Sequence, residues 1–510
     1  MATDPDIAQT PVTSRDFAKG AGTTMLARLG AVFEIISQPV YVAMFGLAAY
    51  GLYAVLWSAI TLIENIADLG MPAALQRVVP QSRSAQDQAA ALRTALIIGI
   101  VPQIFVALAV SLAAPHVAPI FNVAPSDAAL LVDAIRIYVW TLPLWAFVEI
   151  STAALRAKRV FGAEIRLRLF WEQVFRLVIS AALFIAGLGT MALFYAHIAS
   201  LVLVSMLGMR LLSRHYNLSK VFGTRASADV RAKMIGAGIA VLPGNIVARL
   251  FTDGPPLLLN ALLPGSAGAI SAGLYVIARK ISSIVQLVRT AFGYVLSPLA
   301  SVASLNDVSE VRAIYAFVTR LSFALALPIG AIIIGGGLPV LRTFGADASI
   351  AMPALIILTA ARVFEAVIGS AGPIQQVTGG FRSQMVGSIA GLAIALLIVL
   401  MLMPDWGLTG MAIAVGVGVA VSAVVPIYQL HIIDQLHPFA PPFTGVMLCS
   451  LAVAAGALLL AYGVAWLPRL VQLPGLIILL LAMIWISARV SLPHDDRLTL
   501  GKVARVLRLV

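Results

Sequence analysis

The chain has 510 residues, of which 61% are hydrophobic and 11% charged, and it carries a formal net charge of +12. Its mean hydropathy is +0.99, far above what soluble domains show, which excludes a soluble protein and requires helices or a closed barrel in a bilayer. Unbroken apolar runs over 384–403 and 444–467 exclude the alternating strands of a barrel, and the single cysteine, Cys449, excludes an internal disulfide or a cysteine metal cluster.

The first 24 residues are polar and place Asp4 and Asp6 where a signal peptide needs positive charge, so 1–24 reads as a cytosolic tail. Apolar stretches of about 20 residues then follow near 25–46, 50–70, 94–114, 134–155, 169–187 and 191–209. A basic linker over 213–233 separates these from stretches near 234–258, 268–290, 313–337, 350–372, 384–403 and 408–430. Two more lie at 444–467 and 474–489, before a basic tail over 490–510. The pattern predicts an all-α integral membrane protein of about fourteen transmembrane helices. The Lys and Arg between the spans fall almost wholly in the segments that are cytosolic if the chain starts inside. Arg342 and Arg469 alone fall outside, so both termini are expected in the cytoplasm. The positive charge is thus an orientation signal and a contact for anionic lipid, not a nucleic-acid footprint.

The chain also repeats itself. Gly51-Leu52-Tyr53 returns as Gly273-Leu274-Tyr275, Phe121 returns as Phe344, and 156–162 matches 375–381 at similar offsets. Two parallel six-helix lobes over 25–212 and 234–430, with helices 13–14 over 444–489 appended, account for this, and transporter folds commonly repeat so. Enzyme signatures such as GxxxxGK[ST], HExxH and GxSxG are missing from the sequence. No catalytic residue, metal site or cofactor is called for. The outer loops are short, which disfavours a membrane glycosyltransferase or polymerase.

Two segments carry a family likeness. Residues 50–81 hold Tyr50-Gly51-x-Tyr53, then Asp68-x-Gly70 and Ala74-Leu75-x-Arg77, and 273–301 holds Tyr275 and Pro298. The chain resembles the polysaccharide transporter (repeat-unit flippase) family of the multidrug/oligosaccharidyl-lipid/polysaccharide exporter superfamily. The resemblance implies alternating-access transport of undecaprenyl-diphosphate-linked oligosaccharide across a bacterial inner membrane. Polysaccharide polymerases and glycosyltransferases are then its pathway partners. A cation-coupled multidrug exporter of the same superfamily is the alternative.

Charges within apolar spans are expensive and mark candidate sites. Glu172–Arg176 and Arg249–Asp253 (i, i+4) and Arg362–Glu365 (i, i+3) are spaced to pair on their own helices. The remainder segregate, with Glu34, Glu64, Asp68 and Glu149 against Arg28 in the first half, and Arg279, Lys280, Arg289 and Arg320 without an acid in the second. The expectation is that acids of one half face bases of the other. Arginine grips phosphate bidentately, so Arg28, Arg249, Arg279, Arg289, Arg320 and Arg362 are candidates for the diphosphate and sugar. Snorkelling to the inner surface is the alternative for Arg28, Arg289 and Arg320. Glu34, Glu64, Asp68, Glu149, Asp253 and Glu365 are candidates for ion or proton coupling. Two carboxylates as close as Glu64 and Asp68 disfavour joint ionisation. Pro39 and the Pro243-Gly244 pair interrupt the first and seventh spans as hinge candidates.

Reporter fusions after Arg168 and Arg508 are predicted to report the cytoplasm, and fusions within 122–128 or at Asp405 the periplasm. A periplasmic C-terminus would give an odd number of spans and break the two-lobe plan.

Overall fold

The computed structural model describes residues 37–82, 84–160, 162–163, 165–223, 227–289, 308–369, 371–378, 381–439, 441–500 and 502–509. Their regular secondary structure is helical, and ten helical segments are long and apolar enough to cross a bilayer. Fourteen is not reached among them. Span one lies largely outside the described residues, the helices at spans five and eight are 14 and 17 residues long, and spans eleven and twelve count as one segment, Met385–Ile433. The chain divides into two compact units, Met1–Gly273 and Leu274–Val510.

In the first unit, α1 (37–45) contains Pro39 and stops at Gly46, whose φ of 80° breaks the helix before α2 (Leu47–Ala67). Leu69 (φ 50°) and Gly70 (φ 69°) turn the chain into α3 (Met71–Val78), which Pro72 opens with its preset φ. Ser84 caps α4 (Ala85–Val117) by accepting the Asp87 N–H at 3.0 Å. Next come α5 (Pro125–Tyr138) and α6 (Thr141–Ala157). A π-helical turn over Ile165–Trp171 leads into α7 (Glu172–Ile185), then α8 (Met191–Ser213) and α9 (Leu218–Gly223). α10 (Ala228–Leu262), capped by Ser227, runs 35 residues through Pro243, Pro255 and Pro256. α11 (Ser266–Ser282) spans the boundary between units.

Helices that leave lipid for one another gain little hydrophobic energy, so close approach of small residues holds them. The core joining α3, α4, α6 and α10 follows that rule, with Ala74, Ala91, Ala95, Ala153 and Ala154 buried around Leu75, Leu92 and Ile150. α10 packs along α2 and α3, which is why it belongs to the first unit. At its far end Asn122 and Asn260 clasp each other. Asn122 Nδ2 donates to the Asn260 carbonyl at 2.7 Å, Asn260 Nδ2 donates to the Asn122 carbonyl at 2.6 Å, and the Asn122 N–H donates to Asn260 Oδ1 at 3.1 Å. Beyond α8, Tyr216 donates to the Ala154 carbonyl at 3.1 Å, burial having raised its phenol above the usual range. Lys158 lies over that ring, 4.2 Å from its centre.

In the second unit α12 (Val308–Gly335) is the central helix. It is followed by α13 (Gly337–Arg342), α14 (Met352–Ile368) and α15 (Ala371–Thr378). α16 (Phe381–Asp434) breaks at Gly407 (φ 46°, ψ −121°), and its two arms pack back to back where Gly391 meets the backbone of Gly418. α17 (Phe443–Val464) and α18 (Arg469–Val490) pack on α12.

The basic tail packs on the second unit. Helices α19 (His494–Thr499) and α20 (Lys502–Val506) fold back, and Leu492, Ala504 and Leu509 join Leu321, Ala324 and Ala488 in one buried cluster. Trp485 Nε1 donates to the Leu507 carbonyl at 2.8 Å, and Arg489 to that of Arg508 at 3.0 Å. The anchor is Arg320, whose Nε and Nη2 donate to Asp496 Oδ2 and Oδ1 at 2.6 and 2.8 Å.

Removing one partner of a buried pair strands the other charge, a loss of about 3–5 kcal/mol, whereas replacing both with apolar groups is often neutral. Asp496→Leu is therefore predicted to lower the thermal midpoint of the purified protein sharply, and Arg320→Met with Asp496→Leu to restore most of it. Equal midpoints for wild type and Asp496→Leu would contradict this anchor.

Candidate functional site

The end of α2 builds a polar pocket. Asp68 follows the helix as its cap, and its Oδ1 accepts the Gly70 N–H at 2.8 Å, tightening the turn into α3. Gly70 is required twice over, by its positive φ and because a Cβ there would strike the carbonyl of Gly238 on α10. That turn brings Glu64, Asn65, Asp68 and Gln76 around a cavity of about 160 Å³, closed by Glu149 from α6 and by Asn245 and Arg249 from α10.

The charges of this pocket are unevenly matched. Glu149 Oε1 binds Arg168 Nη1 at 2.7 Å, and Arg168 in turn stacks over Trp145 at 4.4 Å. Arg249 Nη1 lies 3.5 Å from Asp253 Oδ2. Among the described residues Glu64 and Asp68 have no such cation. Glu64 is 2% exposed and no donor reaches its Oε1; Asn65 is 9% exposed and no donor reaches its Oδ1. Glu149, expected to face a base of the other half, binds Arg168 of its own, which sits on the π-helical turn 19 positions later and is invisible to i, i+4 spacing.

A second polar cluster lies deeper in the same unit. Arg176 Nη1 donates to the Tyr53 hydroxyl at 2.9 Å and lies 3.6 Å from Glu172 Oε1, while its Nη2 bonds Gln173. His197 is fully buried, with the hydroxyls of Tyr53 and Tyr138 at 2.9 and 2.7 Å from Nδ1. Arg176 Nη1 approaches Nε2 at 3.3 Å. A guanidinium can only donate, so this contact is a hydrogen bond in the tautomer that leaves Nε2 unprotonated; Glu172 Oε1 lies 3.8 Å from the same nitrogen. Sequence reading missed His197. Its only signal was a histidine inside an apolar span, facing neither metal ligand nor charge at local spacing.

The second unit gathers basic side chains. Glu365 on α14 is shared by two arginines, with Arg362 Nη1 at 2.7 Å from Oε2 and Arg289 Nη2 at 3.3 Å from Oε1. Gln286 Nε2 adds a donor at 3.4 Å. One positive charge is left over. Arg279 on α11 is half-buried, and among the described residues no carboxylate pairs with it. Arg320 is committed to Asp496, so the expected absence of an acid for it is corrected by a tail residue 176 positions away. Pro243 and Gly244 lie inside the continuous helix α10. Arg28, Glu34 and Pro298 lie outside the described residues.

The family motif now has physical content. Gly51 lets α2 touch the backbone at Ala269, Tyr53 holds His197 and Arg176, Asp68 and Gly70 shape the turn, and Ala74 and Leu75 are fully buried.

No curated protein matches the chain. Among solved structures it is similar to the lipid II flippase MurJ in an inward closed conformation, with a TM-score of 0.71 and 11% identity over 92% of this chain and 98% of that one. It is also similar to an inward-facing multidrug resistance MATE transporter of the MOP superfamily (TM-score 0.62, 15% identity, 79% and 97% covered). A MOP superfamily transporter from Pyrococcus furiosus, whose binding pocket is described as reversed in polarity, matches similarly (0.60, 16%, 82% and 95%). At such identities the likeness establishes the fold, while the sequence family described as polysaccharide biosynthesis protein matches residues 44–346 directly. The chain belongs to that polysaccharide biosynthesis family, built on the helical fold of flippases and multidrug transporters.

Proposed function

We propose that this protein is a flippase of the bacterial inner membrane that moves undecaprenyl-diphosphate-linked oligosaccharide units outward for surface or secreted polysaccharide. The observation that carries the reading is membership of a polysaccharide biosynthesis family on a fold otherwise seen in lipid flippases and exporters. A polysaccharide pathway assembled on a lipid carrier needs a transporter for its charged intermediate, and this chain combines both properties.

The chemistry of the second unit supports it. Arg279, and the positive charge remaining where Arg289 and Arg362 share Glu365, suit a diphosphate. Arg249 and Arg320 are weaker candidates, since Asp253 and Asp496 engage them. Alternating access moves the two six-helix lobes, with Pro39 and Pro243-Gly244 absorbing the bending. Both termini stay in the cytoplasm, the basic segments resting on anionic lipid, and the polymerase and glycosyltransferases of the pathway act before and after it. A cation-coupled multidrug exporter is the second reading, favoured by the acidic pocket of the first unit.

Deleting the gene is predicted to stop the polysaccharide while lipid-linked units accumulate on the cytosolic leaflet. Units reaching the outer leaflet unpolymerised would instead mark a polymerase, and unchanged polysaccharide with sensitivity to cationic drugs an exporter. Arg279→Ala is predicted to cut export about 10- to 100-fold per molecule in the membrane, the worth of a charge-assisted hydrogen bond of ~1.5–3 kcal/mol. Arg279→Lys is predicted to recover part of it. Normal export by Arg279→Ala would remove that residue from the diphosphate site.

A further inference from the structure

We propose that the tip of α10, residues 257–262, is a lid at the outer end of the transport path, hinged at Gly254-Pro255-Pro256 and latched shut by Asn122. This rests on the flippase reading and adds to it the part that seals one side.

The hinge lies in the backbone. A proline has no N–H, so Pro255 and Pro256 deprive the carbonyls of Phe251 and Thr252 of their i+4 helical donors. Two successive rungs are missing, and prolines are where helices bend most readily. Gly254 precedes them, and a Cβ there would meet nothing within 4 Å, so the bend has space around it. Before the hinge α10 is held by Gly238 against the turn at Gly70 and by the Arg249–Asp253 pair. The clasp is the hold beyond it.

That clasp caps the helix from outside. The last carbonyls of a helix have no partner within it. Here the side-chain amide of Asn122, from the link between α4 and α5, donates to those of Asn260 and Ala261 at 2.7 and 3.3 Å. Asn260, only 1% exposed, answers with its own amide to the Asn122 backbone at 2.6 and 3.1 Å. The first turn of α11 covers the pair, since a Cβ on Gly268 would lie 2.8 Å from the Asn260 carbonyl oxygen. The site falls where the sequence places the outer face, after span seven and beside 122–128. Packing alone fixes a helix end without weakening the backbone behind it. A tip latched by a neighbouring segment, just past a doubled proline, is built to be released.

The test uses the full-length protein with Cys449, its single cysteine, replaced by serine. Leu259→Cys then puts a thiol on the lid, where Leu259 is fully buried, and a charged methanethiosulfonate reads its exposure in lipid nanodiscs. Asn122→Ala is expected to speed its modification about tenfold, the worth of the clasp's neutral hydrogen bonds. A thiol at Leu155→Cys, equally buried but in the core of α6, is expected to stay unmodified with Asn122→Ala, which separates an opening lid from a loosened protein. In cells, Asn122→Cys with Asn260→Cys, joined by a short bis-methanethiosulfonate, is expected to stop polysaccharide export, and a reductant to restore it. Unchanged exposure of the Leu259→Cys thiol in Asn122→Ala, equal gains at both thiols, or full export by the crosslinked protein would each overturn the lid. Because exposure is measured on the isolated protein, an immobile tip leaves the polysaccharide assignment standing, and a failed deletion phenotype leaves the lid standing.

Discussion

Water is scarce inside a bilayer, so each buried polar group must be met by the protein itself. In the described residues nearly all charges of the apolar spans obey this: Glu149 has Arg168, Asp253 has Arg249, Glu365 has two arginines, and Arg320 has Asp496. The architecture around these pairs is fixed by where their partners lie. Arg168 comes from a π-helical turn and Asp496 from the C-terminal fold, so irregular segments are held in place by the charges they neutralise. Against this background the two carboxylates at the end of α2 stand out.

Close backbone contact is the second support. α2 is pressed against Ala269 at Gly51, while the turn at Gly70 is pressed against Gly238. With no side chain between them, α2 meets α11 at Gly51 and the turn after α2 meets α10 at Gly70, at distances few residue types permit, and the pocket lies beside the second contact. The buried tyrosines and His197 on the other side of α2 anchor it to α5, α7 and α8. A helix fixed on one face and seamed on the other is a rigid mount for Glu64 and Asp68.

Much of the fold was legible because hydropathy is a strong signal. The long apolar stretches became helices, and the break between 384–403 and 408–430 falls at Gly407. Helix ends were less legible, since α4 and α10 extend well past their apolar cores into polar first turns capped by Ser84 and Ser227. Of the site, the motif residues and the i, i+3 and i, i+4 pairs could be read locally. Glu149–Arg168, His197 and Arg320–Asp496 could not, because partners 19, 21 and 176 positions apart are joined by tertiary packing, which no periodicity encodes.

The Arg320–Asp496 pair also sets an order of events. The arginine is made 176 residues before its carboxylate, and at 5–20 residues per second the ribosome takes roughly 10–35 s to supply the partner. During that interval α12 carries an unmatched guanidinium. α12 gains its anchor only when the segment that carries Asp496 arrives. Maturation of the second unit therefore waits for synthesis of the segment that carries Asp496, and a chain cut short before it leaves the ribosome with its central helix still unanchored.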